Sequence, residues 1–143
     1  MIYDTSNEFQ KQRSITRFKN LLDKKAVIEI TEKKPKRTIQ QNRYLHLILA
    51  WFGFETGYTL DEVKQEIFKK IVNPNIFYEG EVGDLVIIQR WRSTADLDTA
   101  ELTIAIDNFR DYSSREAGIY LPEPSDLVSI NQMEIELKNN KII

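Results

Sequence analysis

Residues 36–56 read KRTIQQNRYLHLILAWFGFET, and this stretch decides the fold predicted for the chain. Thr38 followed by Gln41 fits a capping box, in which the two side chains satisfy free backbone amides at a helix start. Two apolar stripes then recur at helical spacing: Leu45, Ile48, Leu49 and Phe52 on one, and Tyr44, Leu47 and Trp51 on the other. A helix that is apolar around most of its circumference lies at the centre of a core or in an oligomer interface. The sequence therefore predicts a central helix over residues 39–56.

Capping boxes also mark two further helix starts, in each of which a glutamate follows the capping residue by three positions: Thr59 with Glu62, and Asp98 with Glu101. The Asn73-Pro74 step ends the helix that begins after Thr59, because proline restricts the residue before it. The predicted helices, in chain order, cover residues 14–24, 39–56, 60–72, 99–117 and about 125–139.

Two segments have the pattern of β-structure. Residues 26–32 (AVIEITE) alternate between apolar and polar side chains, which predicts one strand. Residues 76–92 (IFYEGEVGDLVIIQRWR) contain two apolar runs that flank Gly80 and Gly83, which is typical of a β-hairpin. The fold predicted is α+β, with a small antiparallel sheet (a hairpin plus one strand) packed with four to five helices.

The composition is ordinary for a globular domain, with 41% hydrophobic and 29% charged residues among 143. The absence of cysteine excludes disulfides, thiolate zinc sites and a cysteine nucleophile, and it fits a reducing compartment. The N-terminus lacks the apolar run of a signal peptide, and the longest apolar run is too short to span a bilayer. We therefore predict a single domain over residues 1–143, a flexible N-terminus over residues 1–13, a cytoplasmic location and no membrane association.

The net charge of −2 hides an uneven distribution. Residues 1–43 hold 11 Lys/Arg against 5 Asp/Glu, whereas residues 93–137 hold 2 against 10. Local potential matters more to a polyanion than net charge does, so the basic end predicts an interaction surface. The alternative is that the two ends neutralise each other within the fold or across a dimer.

The candidate nucleic-acid-binding residues fall in two basic segments: Lys34, Lys36, Arg37, Gln41, Asn42 and Arg43 around the start of the central helix, and Arg90 and Arg92 at the end of the hairpin. Guanidinium and amide groups beside free helix amides suit charge-assisted bonds to phosphates. Strand alternation would place Arg90 and Arg92 on one face, with Trp91 on the other, where its register with Leu85 and Ile87 favours a core role; the alternative for Trp91 is a platform on which bases stack. The alternative for Asn42 and Arg43 is that they brace the loop before them.

The residues that catalysis needs are scarce. His46 is the only histidine, which excludes a multi-histidine metal site, and no glycine-rich phosphate loop or nucleophile elbow is present. The carboxylates that a metal-dependent nuclease would need are expected to serve local structure: Asp98 and Glu101 as helix caps, and Asp107 with Arg110 and Asp111 with Arg115 as surface ion pairs. We therefore predict that the chain is not an enzyme and uses no metal or cofactor.

Three short motifs resemble those of the NinB-type (Orf) recombination proteins of bacteriophages. They are Arg37-Thr38-x-x-Gln41-Asn42, Ser93-Thr94-x-x-Leu97-x-x-x-Glu101-Leu102, and Gly118-Ile119 followed by Leu121-Pro122. The motifs are similar to the family's R-S/T-x-x-Q-N signature, its S-T-x-x-L-x-x-x-E stretch and its ending. They keep the family's order and cover roughly residues 36–124.

This resemblance implies a mixed α/β homodimer that binds single-stranded DNA and helps a recombinase load onto strands coated by single-strand-binding protein, without catalysis. The matching positions are Arg37, Gln41, Asn42, Ser93 and Thr94. The predicted function is a non-catalytic single-stranded DNA-binding recombination mediator of phage type, with single-strand-binding protein or a recombinase as protein partners. Two alternatives stay open: a protein–protein interaction adaptor without DNA affinity, and a metal-dependent nuclease.

Overall fold

A computed structural model describes residues 2–33 and 39–143. Over these residues the chain is 62% helical, with six helices and one two-stranded antiparallel sheet, which confirms an α+β fold with a small sheet. The chain forms two compact units, residues 1–33 and residues 34–143. No helix in the described ranges is long and apolar enough to cross a membrane.

The N-terminal unit contains helix α1, Glu8–Asp23. It begins six residues before the predicted start, because the side chain of Asn7 caps it by accepting a hydrogen bond from the backbone N–H of Gln10 at 3.2 Å. Such a cap is worth about 1 kcal/mol and does not show in apolar periodicity. None of the residues of α1 is buried.

The strand predicted over residues 26–32 is wrong. These residues have no strand geometry, and all of them are exposed. An alternating pattern determines which side chains share a face, but a strand also needs a neighbour that completes its ladder of hydrogen bonds. In the described part of the chain, the one sheet consists of the hairpin alone.

The second unit holds the remaining elements, which are α2 (Ile39–Thr56), α3 (Leu60–Glu62) continuing as a π-helix (Val63–Val72), α4 (Pro74–Phe77), β1 (Tyr78–Val82), β2 (Ile88–Trp91), a 3₁₀ turn (Thr94–Asp96), α5 (Thr99–Glu116) and α6 (Leu127–Asn139). The predicted hairpin and the predicted helices of this unit are confirmed, with helix ends within two residues. The capping role of Thr38 lies outside the described residues.

The other two predicted capping boxes are confirmed. Thr59 Oγ1 accepts from the Glu62 N–H at 3.1 Å, and Glu62 Oε1 accepts from the Thr59 N–H at 2.9 Å. These bonds lower the pKa of Glu62. Asp98 and Glu101 form the same pair of bonds at the start of α5. Gly118 follows the end of α5 with a φ of 67°, a conformation that glycine adopts without a Cβ clash.

Helix α2 lies at the centre of the core of the second unit. Its buried apolar residues are Tyr44, Leu45, Leu47, Ile48, Leu49, Ala50 and Phe52. The Phe52 ring lies 5.2 Å from that of Phe109 on α5, and the Phe109 ring lies 5.6 Å from that of Phe68. The apolar circumference of α2 is therefore covered largely within its own chain, and it does not by itself require a dimer.

A buried asparagine ties the π-helix to α5. Asn73 is 2% exposed, and its Nδ2 donates to the carbonyl oxygens of Phe68 at 3.0 Å and Ala105 at 3.1 Å. Its Oδ1 accepts from Asn108 Nδ2 at 3.0 Å. The amide thereby satisfies carbonyl groups on both elements at the point where the π-helix ends.

We expect Asn73→Asp to lower the free energy of unfolding by at least about 2 kcal/mol. The change replaces a donor with a carboxylate facing two carbonyl oxygens, and each buried acceptor left unsatisfied costs roughly 1–3 kcal/mol. The matched control is Asn75→Asp, an exposed position on α4, which should change stability by less than about 0.5 kcal/mol. Urea unfolding followed by circular dichroism measures both, and equal effects would contradict the role assigned to Asn73.

Candidate nucleic-acid interface

The predicted nucleic-acid-binding residues do not all lie in the same part of the structure. Lys34, Lys36 and Arg37 lie outside the described residues. Gln41, Asn42 and Arg43 lie in the first turns of α2, whereas Arg90 lies on β2 and Arg92 directly follows it. The described candidates thus fall into two groups, one at the start of α2 and one at the base of the hairpin.

Gln41 connects α2 to α5. Its Nε2 donates to Thr103 Oγ1 at 2.8 Å and to the carbonyl oxygen of Thr99 at 3.4 Å. Close to it, the hydroxyl of Tyr44 donates to the carbonyl oxygen of Pro122, and burial raises the pKa of Tyr44 to about 12. Segments that carry the three quoted motifs therefore meet around the first half of α2.

Arg43 forms an ion pair with Glu134 on α6. Its Nη2 donates to both carboxylate oxygens, at 2.7 and 2.8 Å. The hydrogen bond from Arg43 lowers the pKa of Glu134. The pair therefore adds stability above the unfolded-state pKa of Glu134, and this contribution is lost as the pH falls through the lower folded-state value. A phosphate at Arg43 would have to compete with this carboxylate.

A groove of about 1070 Å³ runs between α2, α5 and α6. Tyr44, Leu47 and Ile106 contribute apolar surface to its lining. Among the described residues, its charged lining residues are Arg43, Asp107 and Glu134, so acidic groups outnumber basic ones there. This balance suits a peptide with mixed side chains better than it suits a polyanion.

Arg92 is held by four acceptors. Its Nη1 donates to Glu101 Oε2 at 2.8 Å and to the carbonyl oxygen of Ile76 at 3.1 Å. Its Nη2 donates to Glu101 Oε1 at 3.3 Å and to the carbonyl oxygen of Asp96 at 3.2 Å. The hydrogen bond with Glu101 raises the pKa of Arg92. This guanidinium joins the end of the hairpin to the start of α5.

Arg90 and Arg92 were expected to share one face of a strand. Strand β2 ends at Trp91, so Arg92 lies outside it and does not follow its alternation. Arg90 is exposed, and no hydrogen bond or ion pair joins its side chain to another described residue. Trp91 is partly buried and packs against the core, as predicted. Leu85 and Ile87, which alternate with Trp91 in sequence, are instead exposed. Of the two arginines, Arg90 is the one whose charge is available to a ligand.

Aromatic and cationic side chains meet at the base of the hairpin. The Tyr78 and Trp91 rings lie 5.1 Å apart, paired across the two strands. The Lys70 amino group lies 5.9 Å from the centre of the Trp91 ring, and it also pairs with Glu66 Oε1 at 3.2 Å. We define the hairpin cluster as Lys70, Tyr78 and Trp91, which are in contact, together with Arg90, which precedes Trp91 in β2. The sequence pattern indicates Arg90 and Trp91, whereas no local signal marks Lys70 or Tyr78 as part of a site.

The second motif contains a capping box that sequence reasoning missed. Ser93 Oγ accepts from the Ala95 N–H at 3.2 Å, and Asp96 Oδ2 accepts from the Ser93 N–H at 3.2 Å. Thr94 is buried. The Ser-x-x-Asp spacing was visible in the sequence and is a recognised start signal. Both motif residues thus serve the turn before α5.

One of the two surface ion pairs predicted on α5 is present. Asp111 pairs with Arg115 at 3.5 Å, as predicted. The predicted pair of Asp107 with Arg110 is wrong, because the Arg110 guanidinium donates to the carbonyl oxygen of Leu121 instead, at 3.2 and 3.3 Å. Within residues 2–33 and 39–143, no group of three or more His, Asp or Glu side chains is placed to hold a metal ion.

We expect Arg92→Ala to lower the free energy of unfolding by about 1–2 kcal/mol, because it removes hydrogen bonds to a carboxylate at a partly exposed site. Arg90→Ala removes the same charge two residues away and should change stability by less than about 0.5 kcal/mol. Thermal unfolding of the two variants beside the parent measures the difference. A larger loss for Arg90→Ala would show that the roles of these two arginines are reversed.

No family model, curated protein sequence or solved structure matches this chain. The resemblance to NinB-type proteins therefore rests on the three short motifs alone. What the chain does has to be inferred from its own side chains and their contacts.

Proposed function

We propose that this chain is a non-catalytic single-stranded DNA-binding protein that acts as a recombination mediator of phage type in the cytoplasm. The observation that carries the proposal is the hairpin cluster, in which the Tyr78 ring packs on Trp91, the Lys70 amino group lies over the Trp91 ring, and Arg90 precedes Trp91 in β2. Tyr78 is 43% exposed, and its ring is supported from one side by Trp91.

The chemistry of the hairpin cluster fits the binding of single-stranded DNA. Every base has a flat π-face, so stacking on an exposed ring binds single strands with little regard to sequence. A guanidinium without a carboxylate partner can pair with a phosphate, and Arg90 meets that condition among the described residues. Duplex DNA keeps its bases stacked on one another and would use only the charges of this surface.

The resemblance to NinB-type proteins supports the biological setting of the proposal. It supplies the expected protein partners, single-strand-binding protein or a recombinase. Gln41 and the segments of the other two motifs meet around α2, which fits a shared structural role for the motifs. Lys34, Lys36 and Arg37 remain predicted phosphate contacts.

The second candidate function is a protein–protein interaction adaptor without DNA affinity. The groove between α2, α5 and α6 favours it, since the lining combines apolar surface with one cation and two carboxylates. Leu127 and Val128 lie on its rim, and both are more than two-thirds exposed. Exposed apolar side chains beside a polar groove mark surfaces that proteins recognise.

Fluorescence anisotropy with labelled oligothymidylate at several salt concentrations tests the first proposal. Each phosphate neutralised on a single strand contributes a slope near −0.7 in log affinity against log salt. We expect Arg90→Ala to weaken binding and to reduce the magnitude of that slope by about 0.7.

The matched control is Lys138→Ala, which removes one exposed cation from α6, outside the hairpin cluster, and should leave the slope nearly unchanged. Tyr78→Leu should weaken binding at every salt concentration by roughly 1–3 kcal/mol without altering the slope. No saturable binding by the parent at low salt would favour the adaptor. Cleavage of the oligonucleotide with Mg²⁺ would favour the nuclease instead.

We also propose that the chain is a homodimer that associates through its hairpin. Leu85, Val86, Ile87 and Ile88 form a continuous exposed apolar run, and each is more than half exposed. Both strands of a two-stranded sheet have an unpaired edge, and such an edge readily adds a strand from another chain. A second copy supplies an edge of the same shape and the same apolar surface, as a two-fold interface requires.

Light scattering at micromolar concentration should give the mass of a dimer, and Val86→Asp/Ile87→Asp should give that of a monomer, because these residues lie in the exposed apolar loop that leads into β2 and charge there opposes its burial against a second copy. Val27→Asp/Ile30→Asp introduces the same charges at exposed positions of the N-terminal unit and should leave the mass unchanged. A monomeric parent would refute the dimer, whereas a dimer that survives the hairpin substitutions would refute the interface.

A further inference from the structure

The N-terminal unit carries a small groove along one side of α1. It encloses about 340 Å³, which is at the lower end of the range for ligand sites. Two rows of side chains at i, i+4 spacing form it: Phe9, Arg13 and Arg17 in one row, and Gln12, Thr16 and Asn20 in the next. Tyr3 completes the lining.

The charge of this α1 groove is entirely positive. Of the residues that the structure describes, Arg13 and Arg17 are the two charged ones in its lining, and no described carboxylate lines it. Two acidic residues that precede Arg13 have local partners: Asp4 Oδ1 accepts from the Ser6 hydroxyl at 2.6 Å, and Glu8 Oε1 accepts from Gln12 Nε2 at 3.2 Å. No ion pair joins either arginine to a described residue. Both guanidiniums are therefore available to an anionic ligand.

The aromatic lining adds a second kind of contact. Phe9 is 70% exposed, and the Arg13 guanidinium lies 5.7 Å from the centre of its ring. Since α1 buries none of its residues, the exposed Phe9 ring adds nothing to a core. Phe9, Arg13 and Arg17 follow one another at helical spacing. The ring can stack on one base of a nucleic acid, and the two guanidiniums can donate hydrogen bonds to its phosphates.

We infer that the α1 groove is a binding site for single-stranded nucleic acid, with Phe9 stacking on a base and Arg13 and Arg17 pairing with phosphates. This inference rests on the proposed function, and it adds a surface outside every motif and outside the hairpin cluster. The site recognises the strand through its backbone and base faces, so it is indifferent to sequence.

The test uses the full chain with labelled oligothymidylate, measured by fluorescence anisotropy over a series of salt concentrations. Arg13→Ala/Arg17→Ala should weaken binding and reduce the magnitude of the salt slope by about 1.4. Arg13→Lys/Arg17→Lys keeps the two charges and should keep most of the slope. Phe9→Ala should lower affinity roughly five- to 150-fold with little change in slope, from the worth of one stacked base.

The matched control is Lys11→Ala/Lys19→Ala, which removes the same charge from α1 outside the groove. Its slope should change by less than half as much as that of the arginine variant. Because α1 buries no residue, all variants should keep the parent's circular dichroism and unfolding midpoint. A variant that unfolds is replaced by Arg13→Gln/Arg17→Gln, for which the same change in slope is expected.

The possible outcomes test the α1 groove and the proposed function separately. A parent that binds, with arginine and Phe9 variants that bind equally well, overturns the α1 groove and leaves the proposed function standing. Equal loss in the lysine control also overturns it, because the effect would then be one of overall charge. A parent that does not bind oligothymidylate at low salt overturns the proposed function, and the α1 groove with it.

Discussion

The second unit depends on the contacts that the buried Phe109 ring makes with two other aromatic rings. Its ring lies 5.2 Å from Phe52 on α2 and 5.6 Å from Phe68 on the π-helix, so one side chain joins three elements. Aromatic contacts of this geometry add about 0.5–1.5 kcal/mol each beyond the area they bury. The hairpin follows α4 directly, and the Phe77 ring of α4 lies 5.5 Å from that of Phe68. The position of the hairpin cluster thus derives from the same aromatic group.

Much of the fold could be predicted from the sequence where local and tertiary signals agree. The capping boxes at Thr59 and Asp98 were found because both bonds of the motif form within four residues. The strand over residues 26–32 was wrong because pairing depends on a neighbour that no local pattern reveals. The start of α1 was placed too late because its decisive signal is a single polar residue, Asn7.

The candidate site could be predicted less well, since similar arginines in a sequence have dissimilar partners in a fold. Arg43 and Arg92 are both bound to carboxylates distant in sequence, Glu134 and Glu101. Arg90 has no such partner among the described residues. Sequence spacing located all three but could not show which carboxylates the fold would bring to them. Charge available to a ligand is therefore a property of tertiary structure, and counting basic residues overestimates it.

The exposed apolar run Leu85-Val86-Ile87-Ile88 also affects the tendency of the chain to aggregate. Short segments of high β-propensity without charge or proline are the ones that assemble into cross-β aggregates. Asp84 and Arg90 flank the run at a distance of at most two residues and act as gatekeepers that limit stacking in register. An exposed apolar run beside an unpaired strand edge is thus also the part of the described chain with the composition that favours aggregation at high concentration.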